Sequence, residues 1–374
     1  MMAMMRMAAM AIELKPRSIH RQQQVALMRL QLRFTAETHR FYRAFYDDLV
    51  RIVNAAVDGD GMVSGNMLSG SMATIEQRWL QMTGSWVRMF ERARVQAADL
   101  PIGAMVVMHN SLMPAVQEAL TPAEAAFVQM WEQRRRRALE TAAQRIYSDG
   151  FNLSQRIWRL QQDGLNDIRS TLALAMSERT SATRLARLLE PLLGAGQGCP
   201  RWAYARLYRM TPGERVVDGA GLLRGDECNS TGLAYNALRM ARNEIQIAHH
   251  AVNDELFRIA PWVEGEKIRL SPGHAEVDIC DEYASGGPYQ PGEVTLPLHV
   301  QCMCYKQAAV MRADDFRNQV KGWMRGENNF LDEYGAWLNQ TPTLPLPLML
   351  ANTLQEWLES NLDVHGAALG VEGN

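Results

Sequence analysis

Apolar residues recur at intervals of three, four and seven along most of the chain, the spacing that lays one stripe along a helix. The first stripe runs through Leu27, Leu30, Phe34, Phe41, Phe45, Leu49, Ile52 and Val53, with Arg29, Arg33, Arg40 and Arg43 between them. Asp58-Gly-Asp-Gly61 stops this helix, and the Gly/Ser/Met-rich stretch from Val63 to Ser71 predicts a loop. A second helix is expected from Thr74 to Ala97, with Leu80, Trp86, Met89 and Phe90 inward. Pro101 and Gly103 punctuate it before a third, Ala104 to Leu120. Thr121-Pro-Ala-Glu124 has the order of a helix start, with a Thr cap, Pro at the first position and Glu at the third. The helix after it carries Phe127, Met130 and Trp131, then four consecutive arginines.

The helical period resumes through Leu153, Ile157, Leu160, Ile168, Leu172 and Met176, with Gly164 as the point where it would bend or break. Ser181 caps a shorter helix with Leu185, Leu188 and Leu189 inward, closed by Pro191 and the glycines 194–198. Residues 199–232 mix Arg and aromatics with turn signals and predict an irregular connection. Helix returns from Leu233 to Ile259. Val263 to Leu270 alternates as a strand does, with Met303 to Val310 as its partner across a long loop rich in Gly, Pro and Asp. Two short helices follow, then the stiff proline-rich stretch Thr341 to Pro347, a last amphipathic helix around Trp357 and a glycine-rich tail.

The expected fold is therefore mainly α: long amphipathic helices with a small α+β C-terminal module, a hairpin-like strand pair and a Cys/His loop. Five stretches are expected: an N-terminal helical region 1–118, a helical core 119–198, the Arg/aromatic connection 199–232, the α+β Cys/His module 233–311, and C-terminal helices with the proline-rich linker 312–374.

Composition narrows the function. The formal net charge is −2, so any contact with nucleic acid is local and not a global attraction. Five cysteines in 374 residues are too few, and odd in number, for a disulfide-stapled secreted scaffold, which favours a reducing compartment. The Met- and Ala-rich start is broken by Arg6 and reads as a tail and not a signal peptide. No apolar run reaches membrane-spanning length.

Chemistry concentrates between His274 and Cys304. Asp278-Ile-Cys280-Asp281 is followed by His299-x-x-Cys302-x-Cys304. Thiolate and imidazole are zinc ligands, and Cys280, His299, Cys302 and Cys304 could close a tetrahedral site, with His274 as a fifth candidate. The competing reading is three small buried hydrophobes. Only one cysteine comes from the first half, where paired ligands are usual. Arg242 and Glu244 are expected in a buried ion-pair set with Asp278 or Asp281. Arg134, Arg135, Arg136 and Arg137 span a full helical turn, so they cannot all face one partner. A solvated face balanced by Glu132 and Glu140 is the plainer account. Arg201, Trp202, Arg206 and Arg209 suit a protein partner or stacked bases. No P-loop, GxGxxG, HExxH or GxSxG occurs.

Several of these pieces together resemble a family. Leu153-Ser-Gln-Arg-Ile-Trp-Arg-Leu160, Ser181-Ala-Thr-Arg-Leu-Ala-Arg-Leu-Leu189, Tyr235-Asn-Ala-Leu-Arg-Met-Ala-Arg-Asn-Glu244, Ile268-Arg-Leu-Ser-Pro272 with His274, Asp278-Ile-Cys-Asp281 and Pro297-Leu-His-Val-Gln-Cys-Met-Cys304 follow the order found in phage minor head proteins. These are the Mu F-like and SPP1-type head morphogenesis proteins. The chain has Asn243 where a threonine is common and Val300 where a proline is common, and it lacks a second cysteine in the first half. The resemblance spans about residues 120 to 310. It implies a non-enzymatic minor component of a tailed-phage head, made in the host cytoplasm and resident in the virion at the portal vertex. Portal protein, major capsid protein and phage DNA are the implied partners, with an oligomer around the portal as one arrangement. A metal-dependent hydrolase or nuclease, with Glu276 or Glu282 as base, and a nucleic-acid-binding module are the alternatives.

Overall fold

A computed structural model describes residues 16–112, 133–194, 232–271, 274, 277–299 and 302–328. It is mostly helical, with one small antiparallel sheet and a Cys/His cluster beside it, as the periodicity predicts. In chain order the elements are α1 Pro16–Ala55, α2 Gly65–Leu112, α3 Leu153–Ser177, α4 Ala182–Leu193, α5 Leu233–Ile259, β1 Val263–Arg269, α6 Ile279–Ser285, β2 Tyr305–Val310 and α7 Ala313–Met324. Residues 133–144 are helical as well. The expected helix start at Thr121, the Arg/aromatic connection and the proline-rich stretch lie outside the described residues. Of those described, no helix is long and apolar enough to cross a membrane.

The helices depart from the punctuation read in the sequence at three points. The expected loop from Val63 to Ser71 is cut short, because α2 starts at Gly65. Leu68, Ile75, Trp79, Met82, Trp86 and Phe90 are all buried at helical spacing, so the stripe already runs through the Gly/Ser-rich residues. Side-chain burial outweighs the weak helix propensity of glycine and serine. The same register turns Leu80, expected inward, out to solvent, and Leu188 in α4 is likewise exposed. In α3, Gly164 does not break the element; a Cβ there would stand 2.6 Å from Cζ2 of Trp79, so the bare backbone makes room for the indole.

The third departure is Pro101, which sits inside α2 instead of ending it. Proline has no N–H, so the carbonyl four residues back, that of Ala97, lacks its helical donor. The Nδ1 of His249 on α5 fills the gap at 2.9 Å. With Nδ1 donating, Nε2 of His249 accepts, and it does so from Gln23 Nε2 at 3.3 Å and Asn253 Nδ2 at 3.2 Å. Gln23 Nε2 also donates to Asn253 Oδ1 at 3.1 Å. His20 Nδ1 donates to Gln23 Oε1 at 3.0 Å, while its Nε2 accepts from the Ala308 backbone N–H at 3.2 Å. Every hydrogen bond in this buried set is consistent with two neutral imidazoles. Burial presses both His20 and His249 down to about 4.

By packing, the chain forms two compact units, each built from separated stretches. One takes Met28–Val95 and Ala143–Ile245. Its centre is aromatic: Trp79 lies edge-on to Tyr42 and Phe45, and Trp86 stacks on Phe90 at 5.5 Å. Local signals frame its helices. Asn152 and Gln155 form a reciprocal capping box at the start of α3. Ser181 caps α4, and Gly194, at φ 70°, takes the left-handed position that closes it.

The other unit takes the described residues up to Leu27, within Gln96–Ala142 and from Gln246 onward. Met105, Val252, Leu256, Phe257, Trp262, Ala308 and Phe316 form its apolar centre. β1 and β2 pair antiparallel from Val263 opposite Val310 to Arg269 opposite Tyr305. On its far side β1 meets Tyr289: Glu266 and Tyr289 exchange both backbone hydrogen bonds at 2.8 Å. Lys306 on β2 is fully buried, and its Nζ bridges Asp254 at 2.5 Å and Glu266 at 2.9 Å. Desolvation raises Asp254 to about 6 despite the ammonium beside it.

Candidate metal centre

The loop between the strands is organised by one short helix that the spacing did not reveal. Asp278 is the N-cap of α6: its Oδ1 accepts from the Cys280 N–H at 2.7 Å. Three residues on, Asp281 reaches back with Oδ2 to the Asp278 N–H at 2.9 Å. The Asp-Ile-Cys-Asp run is thus a capping box with aspartate in both acidic places. Its purpose in the fold is to fix Cys280 in the first turn, pointing inward.

Cys302 and Cys304 arrive from the other side, immediately before β2. They precede the strand instead of sharing a strand face. Cys280, Cys302 and Cys304 are exposed by 2% or less, and their sulfurs all lie within 4.8 Å of one another. Cys280 Sγ is 3.6 Å from Cys302 Sγ. All three are free thiols. They titrate as one set. Cys302 is held low, to about 5, chiefly because the Cys304 thiol donates to its sulfur, helped by nearby backbone N–H groups. The same interaction pushes Cys304 up, and burial pushes Cys280 up.

Two histidines flank the trio. His274 places Nδ1 4.0 Å from Cys304 Sγ, while its Nε2 meets Asp281 Oδ2 at 2.7 Å. Hydrogen bonds from the Asp278 backbone and from His274 keep the Asp281 carboxyl below the ordinary range. His299 places Nε2 3.1 Å from Asp278 Oδ2 and shares a second cluster with Asp278 and Cys280. Leu270 and Leu298 pack against the thiols.

The expected ligands Cys280, Cys302, Cys304 and His299 are therefore neighbours: His299 groups with Asp278 and Cys280, and His274 approaches Cys304. Of the expected ion-pair set, Asp278 and Asp281 serve the helix cap and the two histidines. Arg242 is buried, and its Nε donates to the Leu238 carbonyl at 3.2 Å. Glu244, raised by burial, accepts from the Tyr147 hydroxyl at 2.5 Å. Both belong to the aromatic unit. Of the arginine run, Arg134 pairs with Glu255 at 3.4 Å and Arg135 with Asp99, whereas Arg136 and Arg137 are exposed. The run is thus split between internal pairs and solvent. Glu282 is exposed in the first turn of α6. Arg201, Trp202, Arg206, Arg209 and Glu276 lie outside the described residues.

Missed in the sequence were Lys306, Asp254 and Glu266, and the His20–Gln23–His249–Asn253 set. A lysine within a strand otherwise apolar on that face was the one available signal for the first. Nothing local marks the second. Compared with models of protein families, with curated proteins and with solved structures, the chain has no match.

Proposed function

We propose that this chain is a minor structural protein of a tailed-phage head, acting at the portal vertex by shape and contact and not by catalysis. The observation supporting this is the convergence of the residues on which the resemblance rests. His274, Asp278, Cys280, Asp281, His299, Cys302 and Cys304 come from separated segments and form three overlapping groups, linked through Asp278 and Cys280, and their thiols are closed to solvent. A catalytic centre needs an open position facing solvent and a base beside it. Here the carboxylates are engaged in capping a helix and orienting imidazoles, and the sulfurs face inward. Such a cluster holds a loop in place. The long amphipathic helices supply surface for partners, as in proteins that act through extended contacts.

The test is genetic and biochemical. A nonsense mutation in the gene is expected to give heads that lack this chain and fail to package or deliver DNA. In wild-type particles it should be found in few copies with the portal protein. Mutant particles of full infectivity overturn the proposal. So does purified protein that degrades DNA and loses that activity in Cys302→Ala.

A further inference from the structure

The structure assigns a structural zinc ion to Cys280, Cys302, Cys304 and His274, with Asp281 holding the imidazole from behind; this is our inference, and it is independent of the phage reading. Geometry comes first. Tetrahedral zinc, with bonds of about 2.3 Å to sulfur and about 2.0 Å to nitrogen, sets sulfurs roughly 3.8 Å apart and sulfur and nitrogen roughly 3.5 Å apart. Cys280 and Cys302 are 3.6 Å apart, and Cys304 Sγ and His274 Nδ1 are 4.0 Å apart. His274 meets the trio at Cys304, and a turn of its imidazole toward Cys280 and Cys302 would complete the tetrahedron.

The identity of the fourth ligand follows from the two histidines' other contacts and their burial. A metal-bound histidine typically gives its second ring nitrogen to a carboxylate, which fixes the tautomer and turns the first nitrogen to the ion. His274 has this arrangement: Nε2 on Asp281 at 2.7 Å, Nδ1 toward Cys304. Its side chain is only 12% exposed. His299 likewise gives Nε2 to a carboxylate, Asp278 at 3.1 Å, but its side chain is 39% exposed against 12% for His274, so burial beside the thiols favours His274. The capping box and the metal site are thus one device, because Asp281 caps α6 through the Asp278 N–H and orients His274 through the same oxygen.

The donor set selects the ion. Three soft thiolates and one imidazole suit zinc and exclude calcium or magnesium, which take oxygen. Four protein ligands leave no position for water or substrate, so the site is structural. The loop has cause to need it: its apolar cluster has three buried members, Ile268, Val294 and Leu296, with Tyr283, Tyr289 and Leu298 only partly buried against them. Binding releases the thiol protons to solvent and couples loop folding to the metal.

The experiment uses the full chain purified under reducing conditions, with metal content measured and zinc and cobalt as probes. About one zinc per chain is expected. Cobalt should give the visible bands of a tetrahedral site with a thiolate charge-transfer band. His274→Ala and Asp281→Asn should each weaken zinc binding about 10- to 100-fold in chelator competition, and His299→Ala should leave it unchanged. Because Cys variants can fail to fold, chelator titration of the wild-type chain is the second readout, with an expected drop in melting temperature that added zinc reverses. Three free thiols with no zinc bound after zinc addition overturns the inference. So does a Cys280–Cys302 disulfide in reduced preparations, or loss of zinc in His299→Ala but not in His274→Ala.

Discussion

His249→Ala isolates a debt incurred by a proline far away in the sequence. The imidazole donates to the Ala97 carbonyl that Pro101 leaves without a helical partner, and it accepts from Asn253. Removing the ring strands the Ala97 oxygen and the Asn253 amide. Gln23 keeps its bond to Asn253 Oδ1. Each stranded buried group costs about 1–3 kcal/mol, so the single variant should lose about 2–6 kcal/mol. In a Pro101→Ala background the new N–H of residue 101 reaches the Ala97 oxygen along the helix, so one of the two groups is no longer stranded. His249→Ala should then cost about 1–3 kcal/mol less than it does beside proline. A double-mutant cycle reads this directly from urea unfolding midpoints at constant slope, followed by circular dichroism. If the two substitutions add to within about 0.5 kcal/mol, the proline and the histidine are not coupled and the explanation for an uninterrupted α2 is wrong.

Three further outcomes follow from the packing. Gly164→Ala should destabilise by about 1–3 kcal/mol through its clash with Trp79, whereas Gly84→Ala in α2, with no atom nearer than 3.8 Å, should stabilise by about 1 kcal/mol; equal effects in thermal melts would refute the close approach. Stability should fall with acid. His20 and His249 sit near 4 when folded against 6.5 unfolded, so the unfolded chain binds more protons between those values. Their contribution is complete above pH 6.5 and drops by about 2 kcal/mol each by pH 5. Asp254, raised to about 6, works in the opposite sense and returns about 1.4 kcal/mol over that span. His20→Gln should flatten the urea-midpoint profile between pH 7 and 5, and an unchanged profile would contradict the buried neutral ring. Finally, Lys306→Met should cost about 3–5 kcal/mol by leaving Glu266 and Asp254 without their shared cation, and adding Glu266→Met should recover most of it. Recovery that fails in equilibrium unfolding would mean the triad does more than neutralise itself.

What the sequence disclosed depended on whether the information was local. The long stripes gave the helices, and alternation gave β1 and its partner, because burial of one face is written at fixed spacing. Punctuation was the weak guide: Pro101 and Gly164 read as breaks, yet both sit inside continuous helices because a distant His249 or Trp79 makes them tolerable or necessary. At the candidate site the cysteines and histidines were visible as letters. How each histidine is held beside them was not, since that depends on Asp278 and Asp281 at the start of α6. The loop acids were read as partners for a cation, and their role in capping α6 was not visible because a cap depends on where the helix starts. Lys306 and its two acids lie 40 and 52 residues apart along the chain, beyond any motif.

The two-stranded sheet is also met on both flanks. Tyr289 takes the backbone of β1 at Glu266, and the His20 ring takes the outward N–H of β2 at Ala308. A ribbon so narrow would ordinarily offer its rims to an incoming strand, the route by which many proteins join by β-augmentation. Here one position on each rim is taken from within, so a strand adding at either edge would first have to displace Tyr289 or His20.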